Sequence, residues 1–141
     1  MSLKAKNVIS GTYGSVWLDG DEMFEIKSFQ AKDEYQKEEI LGAGKMHKSY
    51  KITSVDGKGS VSIHKVTSQQ IRNLGRQVRE GKTPTFTIIA KLADPDAWGS
   101  ERIAFKNVVF DDLTLFDFEV GQLGSVEMPF TYEDYDLLDL I

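Results

Sequence analysis

The two histidines, one glycine-rich run and two acidic clusters are where this chain could do chemistry. His47 follows Gly42-Ala43-Gly44-Lys45, and His64 falls in a segment of strand character. Neither has a second histidine at ligand spacing and no HExxH pattern is present, so a metal site would rest on isolated residues. The Gly42–Lys45 run has the look of a phosphate loop, whose backbone N–H groups cradle an anion. Walker spacing, however, requires a glycine where Glu39 stands, and Met46 occupies the place of the magnesium-binding Ser/Thr. A loop of flexible composition accounts for it better. Asp94-Pro95-Asp96 and Glu133-Asp134-Tyr135-Asp136 offer carboxylates without the glycine and spaced oxygens of a calcium loop, and read as turn residues and a solvated acidic tail. There is no Gly-x-Ser-x-Gly elbow, and the absence of cysteine excludes disulfides, thiolate zinc sites and a cysteine nucleophile. The expectation is a protein with no cofactor and no metal, and not an enzyme.

The chain has 141 residues, enough for one domain that buries about two-thirds of its unfolded surface. Its 17 Lys+Arg against 22 Asp+Glu give a net charge of −5, which argues against a protein that coats DNA. No apolar run approaches the ~20 residues of a membrane span, and Met1–Lys6 lacks the apolar core of a signal peptide, so a cytoplasmic protein with no membrane anchor is expected.

Strand signals dominate. Gly14–Asp19 reads as a short strand handed back through Asp19-Gly20-Asp21 to a second one starting near Glu22. That second segment runs to about Glu39 without glycine or proline. Its apolar residues change parity, Phe24 and Ile26 being even and Phe29, Ala31 and Tyr35 odd, which a bulge near Lys27-Ser28 reconciles. From Gln30 to Glu39 both faces read as polar, and helix competes with strand on propensity. After the Leu41–Ser49 loop, Tyr50–Val66 is extended again, with Asp56-Gly57-Lys58-Gly59 expected as a bend or tight hairpin. A hairpin and loop thus cover about 22–66. A helix over about 68–80 is expected from the capping-box spacing of Thr67 and Gln70, the Ile71/Leu74/Val78 stripe and Gly81 as its stop. Four alternating runs follow, around Phe86–Leu92, Ile103–Val109, Phe116–Val120 and Val126–Tyr132, with Pro129 marking an edge or an irregularity. The fold class is mainly β: two packed antiparallel sheets, a sandwich or partly open barrel, with one flanking α-helix, in a single domain over 1–141.

Two features fit a plain monomer badly. A polar hairpin with few apolar anchors is marginal alone, but strands added to its edges by neighbouring subunits would satisfy its ladders, one face turned to a watery channel and the other to a subunit junction. The candidate contacts are Lys32, Glu34, Tyr35, Lys37, Glu38, Leu41, Lys45, Met46, His47, Lys48 and Tyr50. Arg72, Arg76 and Arg79 lie within about 60° of one another around the helix. A solvated face, a docking surface for acidic protein such as the Asp134/Asp136/Asp139 tail, and a nucleic-acid contact all remain open readings of them.

The blocks Leu3–Gly11, Trp17-Leu-Asp-Gly-Asp-Glu-Met23, Ile26-Lys-Ser-Phe29, Gly57–Ser68 and Glu127–Asp136 occur in an order and spacing that resembles the tube proteins of contractile tails. These belong to Gram-positive phages, defective prophages and phage-tail-like bacteriocins. The resemblance spans nearly the whole chain. It implies the fold of phage tail tubes and of the type VI secretion tube protein, in which hexameric rings enclose a β-barrel channel and stack into a tube. The Leu41–Ser49 loop would reach the adjacent ring. The implied partners are other copies of the chain, a sheath protein, and tape-measure, baseplate and terminator proteins. Phage DNA would pass through the lumen without specific binding in a virion. The implied location is a virion tail or tail-like particle assembled in the host bacterial cytoplasm. A terminator, baseplate or secretion-tube-like ring that does not elongate is the alternative.

Overall fold

The structure, a computed structural model, describes residues 4–23, 25–64 and 69–141. Two short 3-10 turns, Ala5–Asn7 and Gly11–Tyr13, lead into β1 (Gly14–Leu18), β2 (Asp21–Glu22), β3 (Ile26–Ile40), β4 (Ser49–His64), α1 (Gln69–Arg79), β5 (Phe86–Leu92), β6 (Glu101–Phe110), β7 (Ser125–Tyr132) and β8 (Asp134–Asp139). Between β1 and β2, Asp19 and Gly20 take φ of 50° and 88°, the left-handed pair that a two-residue hairpin turn needs.

All eight strands belong to one open antiparallel sheet in the order β2-β1-β5-β6-β7-β4-β3, with β8 also on β6. The sheet folds over on itself to make the two layers expected. One layer holds β1, β2, β5, β8 and most of β6, and the other holds β7, β4 and β3. β6 passes from one to the other: Lys106 pairs with Asp134 of β8, whereas Val109 and Phe110 pair with Thr131 and Phe130 of β7. Asn107 sits at the crossing with φ of 54°, a conformation that asparagine tolerates better than most residues, and its side-chain amide donates to Glu133.

The inner faces of both layers meet in a core containing Val16, Val61, Ile63, Ile88, Phe105, Val108, Met128 and Phe130. Phe29 bridges the layers, its ring 5.8 Å from those of both Phe105 and Phe130. The helix ends where Gly81 predicts: Gly81 has φ of 80°, its N–H donates to the Val78 carbonyl, and the Lys82 N–H reaches the Gln77 carbonyl. A Cβ on Gly75 would touch Leu113 at 3.4 Å, so α1 lies against the segment that follows β6. Phe24, Thr67 and the side chains of Gln70 and Ile71 lie outside the described residues, and with them the capping box.

Several expectations are corrected. Asp56-Gly57-Lys58-Gly59 is no bend, since β4 runs straight through it. Its glycines answer a packing need: a Cβ on Gly57 would stand 2.6 Å from the Tyr132 ring, and one on Gly59 would strike the Gln30 carbonyl and come within 2.5 Å of Phe130. Phe116–Val120 alternates like a strand but forms no strand of the sheet among the described residues. The acidic C-terminal run is exposed as expected, but it is a strand, β8, rather than a loose tail, with Asp136 paired to Lys106 and Asp139 to Arg102. Pro129 marks neither an edge strand nor an irregularity, since β7 lies between β6 and β4 and Pro129 pairs in register with Ser60. Its missing N–H is tolerated because it points to the β6 side just beyond the short β6 ladder, where its carbonyl accepts from the Asp111 N–H.

Gly59→Ala is expected to destabilise the protein by about 1–3 kcal/mol, because the added methyl has only backbone and a buried ring to displace. Gly11→Ala, with nothing within 4 Å of its Cβ, should stay within about 0.5 kcal/mol of the parent. Urea unfolding midpoints of the two variants check both.

Candidate assembly interface

Fourteen of the fifteen residues of β3 pair with β4, from Ile26↔Ile63 out to Ile40↔Ser49, in a ribbon about 50 Å long at ~3.3 Å per residue. The register slips twice. Lys27 is the extra residue of the first slip, as the parity change in β3 anticipates, and Thr53 is the extra residue of the second. β7 covers β4 only from Gly57 to His64, and β3 has no second ladder partner. Beyond Asp33 and Gly57, therefore, the ribbon has two strands and two open edges among the described residues.

The two faces of that ribbon differ, which corrects the expectation that both are polar. Pairing puts Tyr35 beside Val55, Lys37 beside Ile52 and Glu39 beside Tyr50 on the face that continues from the core residues Phe29 and Ala31. Tyr35, Tyr50, Ile52 and Val55 are each about half exposed, and the Lys37 ammonium lies 5.3 Å from the centre of the Tyr50 ring. The opposite face carries Lys32, Glu34, Gln36, Glu38, Lys51, Ser54, Asp56 and Lys58. There Glu34 binds Lys58 at 3.2 Å and Lys32 at 3.6 Å, and Gln36 donates to Asp56 at 3.2 Å. Lys58, with Lys32 as a lesser influence, holds the Glu34 carboxyl below the usual carboxylate range. Three lysines and three carboxylates make this face neutral overall.

The candidate contact residues thus fall into three groups. Lys32, Glu34 and Glu38 share the polar face, Tyr35, Lys37 and Tyr50 share the apolar one, and Leu41, Lys45, Met46 and His47 occupy the connecting loop, where Met46 is 96% exposed. Lys48 pairs with Glu39 at 3.1 Å at the root of that loop. Arg76 and Arg79 are exposed on α1, while the Arg72 side chain lies outside the described residues. Sequence reading missed Ile52 and Val55, because the Thr53 bulge gives two residues of one face opposite parity. It also missed the exposure of Leu115, Phe118, Val120 and Leu123.

The ribbon is fixed to the core at its base. Tyr132 is buried, its ring 5.0 Å from that of Phe105, and its hydroxyl donates to Asp33 at 2.7 Å. Burial, and then the adjacent Asp33 carboxylate, push the phenol well above the usual tyrosine range.

The protein is thus a small β-sandwich that presents a long two-faced ribbon with open edges among its described residues, none of whose helices is long and apolar enough to cross a membrane. The family described as phage tail tube protein (DUF2001) matches residues 1–139, and the chain belongs to that family. It is 37% identical over 139 residues to the phage-like element PBSX protein XkdM of Bacillus subtilis (strain 168), across 97% of this chain and 95% of that one. Among solved structures, its fold is that of a chain in the extended sheath-tube complex of an extracellular contractile injection system, PVC. That match has a TM-score of 0.69 at 11% identity and covers 99% of this chain and 100% of the other. It is equally that of a chain in the PVC sheath/tube terminator, with a TM-score of 0.72 at 9% identity over 93% and 96% of the two chains.

The shifted phenol sets a pH dependence. Raised above its unfolded value, Tyr132 supports folding fully below about pH 10 and loses that contribution as pH rises further, because the unfolded chain ionises first. Tyr132→Phe should cost about 1–2 kcal/mol at neutral pH by removing the bond to Asp33. The gap between variant and parent should narrow above about pH 10, as urea unfolding at a series of pH values would show.

Proposed function

We propose that this protein is the subunit of the inner tube of a contractile tail or tail-like particle, closing into hexameric rings that stack around a channel. The observation that carries the reading is the distal ribbon, open at both edges, with one neutral hydrophilic face and one apolar face. Neighbouring copies laid edge to edge would continue the ladders from one subunit to the next until the ring closes, leaving no exposed edge. The face of Lys32, Glu34, Glu38, Lys51, Asp56 and Lys58 then lines the lumen. Its charges already neutralise one another, so a polyanion passing through finds no surplus of cations to hold it. The Tyr35/Tyr50/Ile52/Val55 face turns outward and is covered at the subunit junction, where its half-exposed side chains lose water.

The role is structural rather than catalytic. Many small contacts made at once by ring closure and stacking supply rigidity that no single interface has. A sheath protein outside the tube, a tape-measure protein that sets its length, and baseplate and terminator proteins at its ends complete the set of partners, with DNA in the lumen if the particle is a virion. The likeness to a terminator chain, at a TM-score as high as that to the tube complex, favours a second reading as a ring that caps a tube without elongating. Electron microscopy of the concentrated protein separates the two: annuli that stack into long tubes support the tube subunit, and discrete annuli alone at every concentration support the cap.

A further inference from the structure

The ribbon direction has chemically different ends. At one end is the loop 41–48, with Leu41 and Met46 exposed, Lys45, His47 and Lys48 the only ionisable groups, no carboxylate of its own, and Lys48 at its root shared with Glu39 of β3 at 3.1 Å. At the other end, where His64 pairs with Ser125, the segment 111–124 leaves β6 and returns as β7. That end lies about 50 Å away along β4. This segment contains Asp111, Asp112, Asp117 and Glu119 and no cation. None of these four carboxylates makes an ion pair among the described residues, not even with Arg76 or Arg79 on the neighbouring helix.

The same segment exposes an apolar surface that the protomer leaves uncovered. Phe118, Val120 and Leu123 are 74%, 91% and 88% exposed, and Leu115 accompanies them. A cluster of this kind, rimmed by charge of one sign, marks a protein contact. Its period-two alternation over 116–120 is that of a strand, although it forms no strand of the sheet among the described residues. The loop 41–48 has the opposite charge and matching apolar residues. It stands too far away to reach the segment of its own chain.

We propose that the 41–48 loop of one copy docks head to tail on the 111–124 segment of a second copy, Lys45 and Lys48 facing Asp117 and Glu119 while Met46 covers the apolar side chains. Because the two surfaces differ and lie at opposite ends, the contact is heterologous and does not close on itself. It repeats along one direction and gives the stack a polarity. Edge-to-edge pairing makes the ring, and this contact makes the column. The inference rests on the tube-subunit reading above and names the surface that receives the loop.

Charge exchange in the full-length protein tests it. Lys45→Glu/Lys48→Glu and, separately, Asp117→Lys/Glu119→Lys are each expected to leave annuli intact. Each should raise the concentration needed for tube growth by about tenfold, since a small loss per contact is multiplied around the ring. Placing all four substitutions in one chain should restore growth, a result that misfolding cannot imitate. Sedimentation and electron microscopy read ring and tube populations. Tubes at the parental concentration from both double variants would overturn the docking while leaving the tube-subunit reading intact, as would a quadruple variant that stays as rings. A parent chain that forms neither annuli nor tubes would overturn that reading and this contact with it.

Discussion

The constraint behind everything else is that backbone N–H and C=O groups must have partners. Within the sandwich β4 is paired on both sides, by β3 and β7, until β7 stops covering it at Gly57. From there to the loop, both outer edges of the ribbon face outward. An edge strand of 15 residues is far longer than the five or six that are usual. Proteins commonly blunt such edges with lysines, bulges or prolines. Here Lys32, Lys37 and the two bulges are present, yet the apolar face of Tyr35, Val55, Ile52 and Tyr50 remains beside the open ladder. An edge of this kind invites association with further strands, and in the ring proposed for this protein closure would use up every edge at once.

Anchoring and openness divide along the ribbon. Its base is pinned by Phe29 between the two layers, by Phe130 and Tyr132 lying over Gly59 and Gly57, and by the Tyr132–Asp33 hydrogen bond. Its outer half has surface ion pairs, which contribute little singly, and one ladder. The protomer therefore combines a well-packed body with an arm of low local stability, the usual arrangement where a segment gains its remaining contacts from partners.

Much of the architecture was legible from alternation. Phe86–Leu92 and Ile103–Val109 read as strands and are strands, and the even-to-odd change between Ile26 and Phe29 located the Lys27 bulge because a slip of one residue must exchange the faces. The Asp56–Gly59 stretch misled because glycine signals a turn more often than it signals a ring lying flat on a strand, and only the positions of Phe130 and Tyr132 in three dimensions reveal the second cause. Phe116–Val120 misled for the opposite reason: its pattern is that of a strand, but a strand exists only where a ladder forms, and among the described residues it joins none. At the interface, residue types were readable and faces were not. The Thr53 bulge sits between Ile52 and Val55, so the apolar stripe they make with Tyr35 and Tyr50 has no constant period in the sequence. The acidic C-terminal run is solvent-exposed as its composition implies, but its carboxylates alone do not reveal a strand, because Arg102 and Lys106, which β6 places opposite them, are distant in sequence.

Amide hydrogen exchange of the ribbon, measured residue by residue in the dispersed protein and again in the assembled particle, tests the central claim most directly. Amides of 33–40 and 49–56 should exchange far faster than those of Phe86–Leu92 in the dispersed chain, and should approach the same protection once copies have joined. Ribbon amides already as slow as the β5 amides in the dispersed chain, or unchanged in the particle, would show that its edges need no neighbour and would contradict the account.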